Sequence, residues 1–312
     1  MEKLIIIGNG FDLMHNLKTS YNDFKVYIEN TYNLSDNKTY PIGFCPDCTI
    51  GNHGDEIYDY KEAVNYLYNL LFDANGYDWC HLEESFINLN FEDDQFDIDW
   101  ESEKYMHDIY NNEDSSARII NFFKQNFHKQ LLLEWFETMD FSGLHSKKII
   151  EDIIDYDSAI LNFNYTDTVE QLYRCDVNKM LHIHGKLTDG IESIVFGFDE
   201  NKTYDVEESY YIGFDIGALD GTLKKNTSQI ILDNNKFFES LKNVTEVYSI
   251  GFGYGICDYN YIKEIISIID KTKTVWYIKS RDLKDGKNKR QILINLGFEG
   301  NIEVLSWEEI SY

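Results

Sequence analysis

The chain has 312 residues, of which 43% are hydrophobic and only two are proline, so it can fold around a sizeable core as one large domain or two small ones. Its formal net charge is −27, which disfavours extended contact with nucleic acid or membrane. A small anionic ligand stays compatible with this charge, because backbone N–H groups can bind phosphate. Five cysteines and no secretory signal predict a reducing, cytoplasmic setting.

The first half of the chain combines one strand with helical patterns. The β-branched run of residues 4–7 ends in Gly8-Asn9-Gly10 and predicts a buried parallel strand. A helix is expected after Thr19 or Ser20, and a later helix after a cap at Ser115 or Ser116. We interpret residues 31–140 as a mainly helical insertion within a single α/β domain spanning 1–312. The acidic segment 92–101 in this insertion is interpreted as a solvated face, because it lacks the spacing of a calcium loop.

The second half alternates between strand and helix patterns. The predicted strands are 159–163, 180–184, 193–196, 247–250, 275–278 and 302–305, and the predicted helices are 166–174, 235–243, 258–270 and 287–296. This alternation predicts βαβ crossovers and a Rossmann-like parallel sheet. Because ligands of such sheets bind beyond the carboxyl ends of the strands, residues that follow the strands are the candidates for a site.

The first candidate segment is Gly8-Asn9-Gly10. Glycines directly after a strand let the backbone approach a phosphate, and the next helix presents its N-terminus to the anion. We therefore assign Gly8, Asn9 and Gly10 to nucleotide binding, together with Asp12. The third glycine of the dinucleotide fingerprint is absent, because Leu13 stands there, so a purely structural tight turn is the alternative.

Asparagine and histidine residues follow the next two strands. Asn164 has a donor and an acceptor with which to position a ribose or a water, although an Asx-type cap would also explain an asparagine here. His182 and His184 are expected to project to one side, and Gly185 leaves His184 room beside a ligand. His184 is a candidate general base or ribose ligand, and a structural histidine is the alternative.

A glycine-rich segment, residues 251–255, follows a fourth strand, with Asp258 at a helix start. We assign Gly251 and Asp258 to nucleotide binding, with Asp258 holding a ribose hydroxyl or capping the helix. Cys45 and Cys48 form a single Cys-x-x-Cys pair without the second pair that a structural zinc site needs, so we expect no metal.

Together these segments resemble the AbiH family of bacterial abortive-infection proteins, which act against phage. The resemblance is carried by residues 4–12 with 17–21, Trp79 with 82–83, 162–166 with Glu170, 182–185, and Gly251 with Asp258 and Tyr261. A more remote resemblance links Gly8 and Gly10, Asn164-Tyr165 with Glu170, His184-Gly185, and Gly251 with Asp258 to sirtuin-like domains of bacterial defence proteins. Asn9 and the position of Asp167 depart from the sirtuin-like pattern.

Several sirtuin-like defence domains hydrolyse NAD. The resemblance therefore implies a sirtuin-like fold and an effector that cleaves NAD or a related nucleotide at the glycosidic bond, with Asn164 and His184 catalytic and no permanently bound cofactor. Asp12 or Glu83 would stabilise the positive charge that develops on the sugar. The alternative is a non-catalytic module that senses a nucleotide or ADP-ribose and signals to a partner. A toxin directed at nucleic acid is disfavoured by the net charge, whereas a homo-oligomer and an unidentified phage trigger are expected by analogy.

Overall fold

The computed structural model describes residues 2–34, 44–91, 94, 101–202, 217–280 and 283–306. The chain divides into two compact units, the first comprising Met1–Ser20, Thr138–Val195 and Asn226–Tyr312, and the second comprising Tyr21–Glu137 and Phe196–Lys225. The second unit is a wider set of residues than the predicted insertion 31–140. Residues 35–43, 92–93 and 95–100 of that insertion lie outside the described residues.

The strands of the described chain are, in order, β1 Lys3–Ile7, β2 Cys48–Ile50, β3 Glu56–Tyr58, β4 Ala159–Asn162, β5 Met180–His182, β6 Phe198–Asp199, β7 Lys224–Lys225, β8 Glu246–Ile250, β9 Val275–Ser280 and β10 Asn301–Ser306. The helices are α1 Gly10–Met14, α2 Tyr21–Tyr32, α3 Tyr60–Asn75, α4 Leu82–Ser85, α5 Tyr105–Lys124, α6 Phe127–Glu137, α7 Lys148–Ile153, α8 Thr168–Leu172, α9 Gly217–Leu223, α10 Thr227–Asp233, α11 Asn235–Glu239, α12 Tyr259–Ile268 and α13 Leu283–Asn295.

The first unit is built on a six-stranded parallel sheet with the order β10-β9-β8-β1-β4-β5. When the six strands are counted along the chain, the order is 3-2-1-4-5-6, which is that of the dinucleotide-binding Rossmann sheet. The strand order reverses between β1 and β8, and this is the topological switch point. The predicted α/β, Rossmann-like fold is therefore confirmed.

The side chains of β1 explain why its sequence is a continuous apolar run. Leu4 and Ile6 belong to a buried cluster that includes Trp276, whereas Ile5 and Ile7 belong to a second cluster that includes Ile160. Successive side chains of a strand point to opposite faces of the sheet. Both faces of β1 are covered, and the strand has no solvent face on which a polar residue would be stable.

The predicted strand 193–196 is wrong. Ile191–Ser193 is a 3₁₀ turn, and the short strand β6 begins only at Phe198, outside the central sheet. Ile194 and Phe196 are buried, so the apolar alternation was real, but a single bond from the Val195 N–H to the His184 carbonyl (2.9 Å) does not make a ladder. The sequence pattern therefore indicated that these residues are buried, and not that they pair with a neighbouring strand.

Two interpretations of the insertion also need correction. Helix α5 begins at Tyr105, so Ser115 and Ser116 are buried inside it and cap nothing; the Ser116 hydroxyl donates to the Asn112 carbonyl one turn earlier. Asp94 of the acidic segment is not on a solvated face. It is buried and accepts hydrogen bonds from the Tyr66 hydroxyl (2.7 Å) and the Cys45 N–H (2.5 Å).

The second unit satisfies several of its carboxylates with tyrosine hydroxyls. Tyr32 and Tyr60 both donate to Glu134, at 2.9 and 2.7 Å, as Tyr66 does to Asp94. Burial and the adjacent carboxylate raise the pKa of each of these three tyrosines, so the hydroxyl keeps its proton. These neutral donors stabilise acidic side chains without adding a cation.

Among the described helices, none combines the length and the apolar composition needed to cross a membrane.

Candidate functional site at the switch point of the sheet

The four predicted segments follow β1, β4, β5 and β8, which are neighbours in the sheet and all parallel. Their carboxyl ends therefore lie at one edge, as the sequence predicted. Polar contacts also join the segments in pairs. Asn164 is hydrogen-bonded to Gly8 and Gly10 to Gly251, and His184 pairs with Asp258. These contacts all lie within the first unit.

Three glycines bring the loops after β1 and β8 into backbone contact. A Cβ atom on Gly10 would lie 2.8 Å from the Gly251 Cα, and one on Gly8 would lie 2.7 Å from the Phe252 Cα. Gly251 has φ +65°, a conformation that favours glycine. The Gly10 N–H donates to the Gly251 carbonyl (2.9 Å), so these glycines serve close packing at the switch point.

Asn9 fastens the same loop to the segment before α2. Its amide group donates to the Thr19 carbonyl at 2.8 Å, and the Thr19 hydroxyl donates to the Asn9 Oδ1 at 2.5 Å. Thr19, a candidate helix cap in the sequence, is thus bonded to the loop after β1 through both its carbonyl and its hydroxyl. The polar atoms of the Asn9 side chain are used inside the protein.

Asp12 is a buried carboxylic acid at this edge, with 1% of its surface exposed. The Thr166 hydroxyl donates to its Oδ2 at 2.6 Å, whereas Oδ1 has no hydrogen-bond partner in the described part of the chain. Burial raises the pKa of Asp12 to about 6, and the neighbouring Asp167 adds to the rise, although the hydrogen bond from Thr166 opposes it. Asp12 can therefore change its charge close to neutral pH.

Asn162 and Asn164 have different roles. Asn162 Oδ1 accepts the Asn164 N–H at 2.9 Å, which is an Asx turn and not the helix cap considered as an alternative. The Asn164 side chain instead reaches across to donate to the Gly8 carbonyl at 3.2 Å. Within the described residues no group donates to Asn164 Oδ1, so this acceptor is available to a ribose hydroxyl or a water.

His184 lies two residues beyond the end of β5, where Gly185 (φ +82°) turns the chain. Its Nε2 is 3.2 Å from Asp258 Oδ1, and its ring lies against the edge of the Phe163 ring. Asp258 forms no side-chain cap of α12, so the capping alternative is not the one observed. A carboxylate that orients an imidazole is the usual arrangement for a histidine base.

The expectation that His182 and His184 project to one side is wrong. His182 contacts Glu170 of α8, whereas His184 contacts Asp258, which precedes α12, and these helices pack on opposite faces of the sheet. The strand ends at His182, so the alternation rule no longer applies at His184. Sequence analysis also missed Lys186, whose ammonium group donates to Glu170 at 2.9 Å.

The loop after β8 is strained and anchored. Tyr254 has φ 56°, which is rare for a bulky residue. Its hydroxyl is buried, and its oxygen lies 2.6 Å from the Ser249 hydroxyl oxygen. The Trp276 indole N–H donates to both oxygens. This buried triad keeps the strained loop at the edge of the sheet, as strained residues near functional sites require. Nothing in the alternation pattern of the sequence indicated it.

The second unit holds three further residues considered in the sequence, Glu83, Cys45 and Cys48. Glu83 lies in the second unit, where the Tyr21 hydroxyl donates to it and the Lys225 ammonium pairs with it. Cys45 is buried and Cys48 lies in β2. Among the described residues, no three histidine, cysteine or acidic side chains converge at metal-binding distance.

The fold and the site define a class of protein: a Rossmann-like α/β protein with a polar site of asparagine, histidine and aspartate at the switch point of its sheet. The profile of the family described as "Bacteriophage abortive infection AbiH" matches residues 4–280. The chain therefore belongs to the AbiH family, as the sequence motifs indicated. No curated protein matches the chain significantly, and no solved structure does either.

Proposed function

We propose that this abortive-infection protein hydrolyses NAD or a related nucleotide at the N-glycosidic bond when phage infection triggers it. The observation that carries the proposal is the pairing of His184 with Asp258 at the same sheet edge as the available Asn164 oxygen. Membership of the AbiH family supports the abortive-infection role. A homo-oligomeric assembly and the phage trigger belong to the same proposal.

In this reaction a water adds to the anomeric carbon of the nicotinamide ribose. The electron pair of the broken C–N bond leaves with the ring nitrogen and neutralises its positive charge, and His184 accepts the proton of the water. Asn164 Oδ1 positions the water or a ribose hydroxyl, which lowers the entropic barrier. The Asp12 carboxylate stabilises the positive charge that develops on the sugar. We assign this role to Asp12 over Glu83, because Glu83 is engaged by Tyr21 and Lys225.

The test is nicotinamide release by the purified protein, measured without and with an extract of phage-infected cells. NAD binding by the purified protein is measured by calorimetry. His184→Ala and Asn164→Ala should each lower turnover by about 100-fold or more, because either change removes a positioned group. The matched controls, His145→Ala and Asn295→Ala, change exposed residues of the same unit and should leave turnover at the wild-type level. Equal activity of the site variants and their controls would refute the assignment of the site.

A sensing module that binds a nucleotide without cleaving it is the second candidate. The observation that favours it concerns the loop after β1, two of whose N–H groups are already bonded within the protein. The Gly8 N–H donates to the Ile250 carbonyl, and the Gly10 N–H donates to the Gly251 carbonyl. A phosphate would therefore need donors from elsewhere. NAD binding without nicotinamide release by the wild type would favour this second candidate.

A further inference from the structure

His182 sits between two groups that both accept hydrogen bonds. Its Nδ1 is 3.1 Å from the backbone carbonyl oxygen of Asn164, and its Nε2 is 2.9 Å from Oε1 of Glu170. Its side chain is 13% exposed and that of Glu170 is 15% exposed. Lys186 donates to the same carboxylate oxygen at 2.9 Å, so two cationic side chains can share one carboxylate.

The two partners of the imidazole ring can only accept. A carbonyl oxygen cannot donate, and Glu170 is ionised: burial acts to raise its pKa, but His182 and Lys186 outweigh burial and bring the pKa to about 2. Nδ1 can therefore bond to the Asn164 carbonyl only when it carries a proton.

His15 provides an internal comparison in the same unit. Its Nδ1 faces the Phe11 carbonyl at 2.7 Å, but its Nε2 faces the Tyr173 hydroxyl at 2.7 Å, which can donate. That hydroxyl also accepts the Lys147 N–H at 2.9 Å, so its own proton is directed to His15. Here the neutral ring satisfies every partner, and burial lowers the pKa of His15 accordingly.

We propose that His182 is a positioning residue that fixes the backbone of Asn164 in the site through its Nδ1. The inference rests on the proposed function, in which Asn164 touches the ribose or the water. Asn164 is held at three points: its N–H by Asn162, its carbonyl by His182, and its side-chain amide by the Gly8 carbonyl. Because these three contacts fix Asn164, the direction of its Oδ1 is set before a ligand binds.

Charged groups fix the other side of the ring. Glu170 faces it from α8, and Lys186, in the loop after β5, donates to the same carboxylate. Asp167 and Asp189 act on Lys186, and Cys175 lies within the field of Glu170. Glu170 therefore holds Nε2 of the ring while Nδ1 faces the Asn164 carbonyl.

Two conservative variants separate the two contacts of His182. In His182→Asn the side-chain amide takes the place of Nδ1 and can still donate to the Asn164 carbonyl, whereas in His182→Gln it takes the place of Nε2 and can donate only to Glu170. If His182 acts through Asn164, His182→Asn should retain most of the turnover, and His182→Gln should lose about 10- to 100-fold in kcat with little change in KM. Melting temperatures establish that both variants fold.

The proton on Nδ1 is detected by NMR of protein labelled with ¹⁵N-histidine, with the His182 signals assigned by their loss in His182→Asn. We expect Nδ1 of His182 to carry a proton, because the Asn164 carbonyl that it faces can only accept. An Nδ1 without a proton in the wild type would overturn the inference. Equal kcat values of His182→Asn and His182→Gln, with an active wild type, would overturn it as well.

The two proposals can fail separately. A wild-type protein that releases no nicotinamide refutes the proposed reaction but leaves the positioning of Asn164 measurable. The side-chain amide signals of Asn164 should then shift and broaden in His182→Gln and stay as in the wild type in His182→Asn. Identical Asn164 signals in both variants would show that His182 positions nothing.

Discussion

Asp12→Asn tests whether the buried carboxylate is kept for function at the expense of stability. The folded protein raises the pKa of Asp12 from 3.8 to about 6, which corresponds to about 3 kcal/mol at pH values above both. Since the folded pKa lies above the unfolded pKa, the carboxyl favours folding fully below pH 4, and this contribution is lost as the pH rises through 6. Between pH 5 and pH 8 the loss amounts to about 1.4 kcal/mol.

The asparagine variant does not titrate, so its stability should lack this loss. We therefore expect the free energy of unfolding of Asp12→Asn, relative to wild type, to rise by about 1.4 kcal/mol from pH 5 to pH 8. Urea unfolding followed by circular dichroism at four pH values measures it, and Asp233→Asn, at an exposed position of the same unit, is the control. Nicotinamide release should fall in Asp12→Asn. Stability curves that run parallel for wild type and Asp12→Asn would refute the assigned burial of a titrating charge.

Two further predictions concern stability. Gly251→Ala should lower the free energy of unfolding in urea by more than about 2 kcal/mol, because φ is +65° and the new Cβ would meet the backbone nitrogen of Phe11. The control Gly253→Ala places its Cβ in open space and should change this free energy by less than about 0.5 kcal/mol. Equal losses in the two variants would contradict the packing of the two loops. His128 is buried among aromatic rings, and burial lowers its pKa from 6.5 to about 3, so stability is lost as the pH falls below 6.5. His128→Leu should abolish a loss of about 2 kcal/mol between pH 7.5 and pH 5, and the exposed His53→Leu should not; an unchanged pH dependence in His128→Leu would count against the burial of a neutral ring.

The parts of the fold that sequence analysis predicted are those with a local cause. The apolar runs of β1 and β4 are buried on both faces of the sheet, so burial and strand pairing coincide in them. Residues 193–196 have the same apolar character without a neighbouring strand to pair with, and the prediction failed there. Ser115 and Ser116 misled for a related reason, since a serine inside a helix can bond to the preceding turn as readily as it can cap a new one.

The sequence predicted where the residues of the candidate site lie in the sheet, but not which groups they contact. Strand ends of a parallel sheet meet at one edge, which is why Asn164, His184 and Asp258 could be grouped from the sequence. Their partners depend on side-chain directions in turns, which no periodicity encodes. The pairing of His182 with Glu170, the bonding of Asn9 to Thr19 and the burial of Asp12 therefore became visible only in the structure.

The tyrosine hydroxyls that donate to Glu134 and Asp94 have a consequence for the behaviour of the protein in salt. Counterions weaken the attraction between two opposite charges, but they have little effect on a short bond between a charge and a neutral dipole. The second unit thus satisfies these acids through contacts that a change in ionic strength hardly alters.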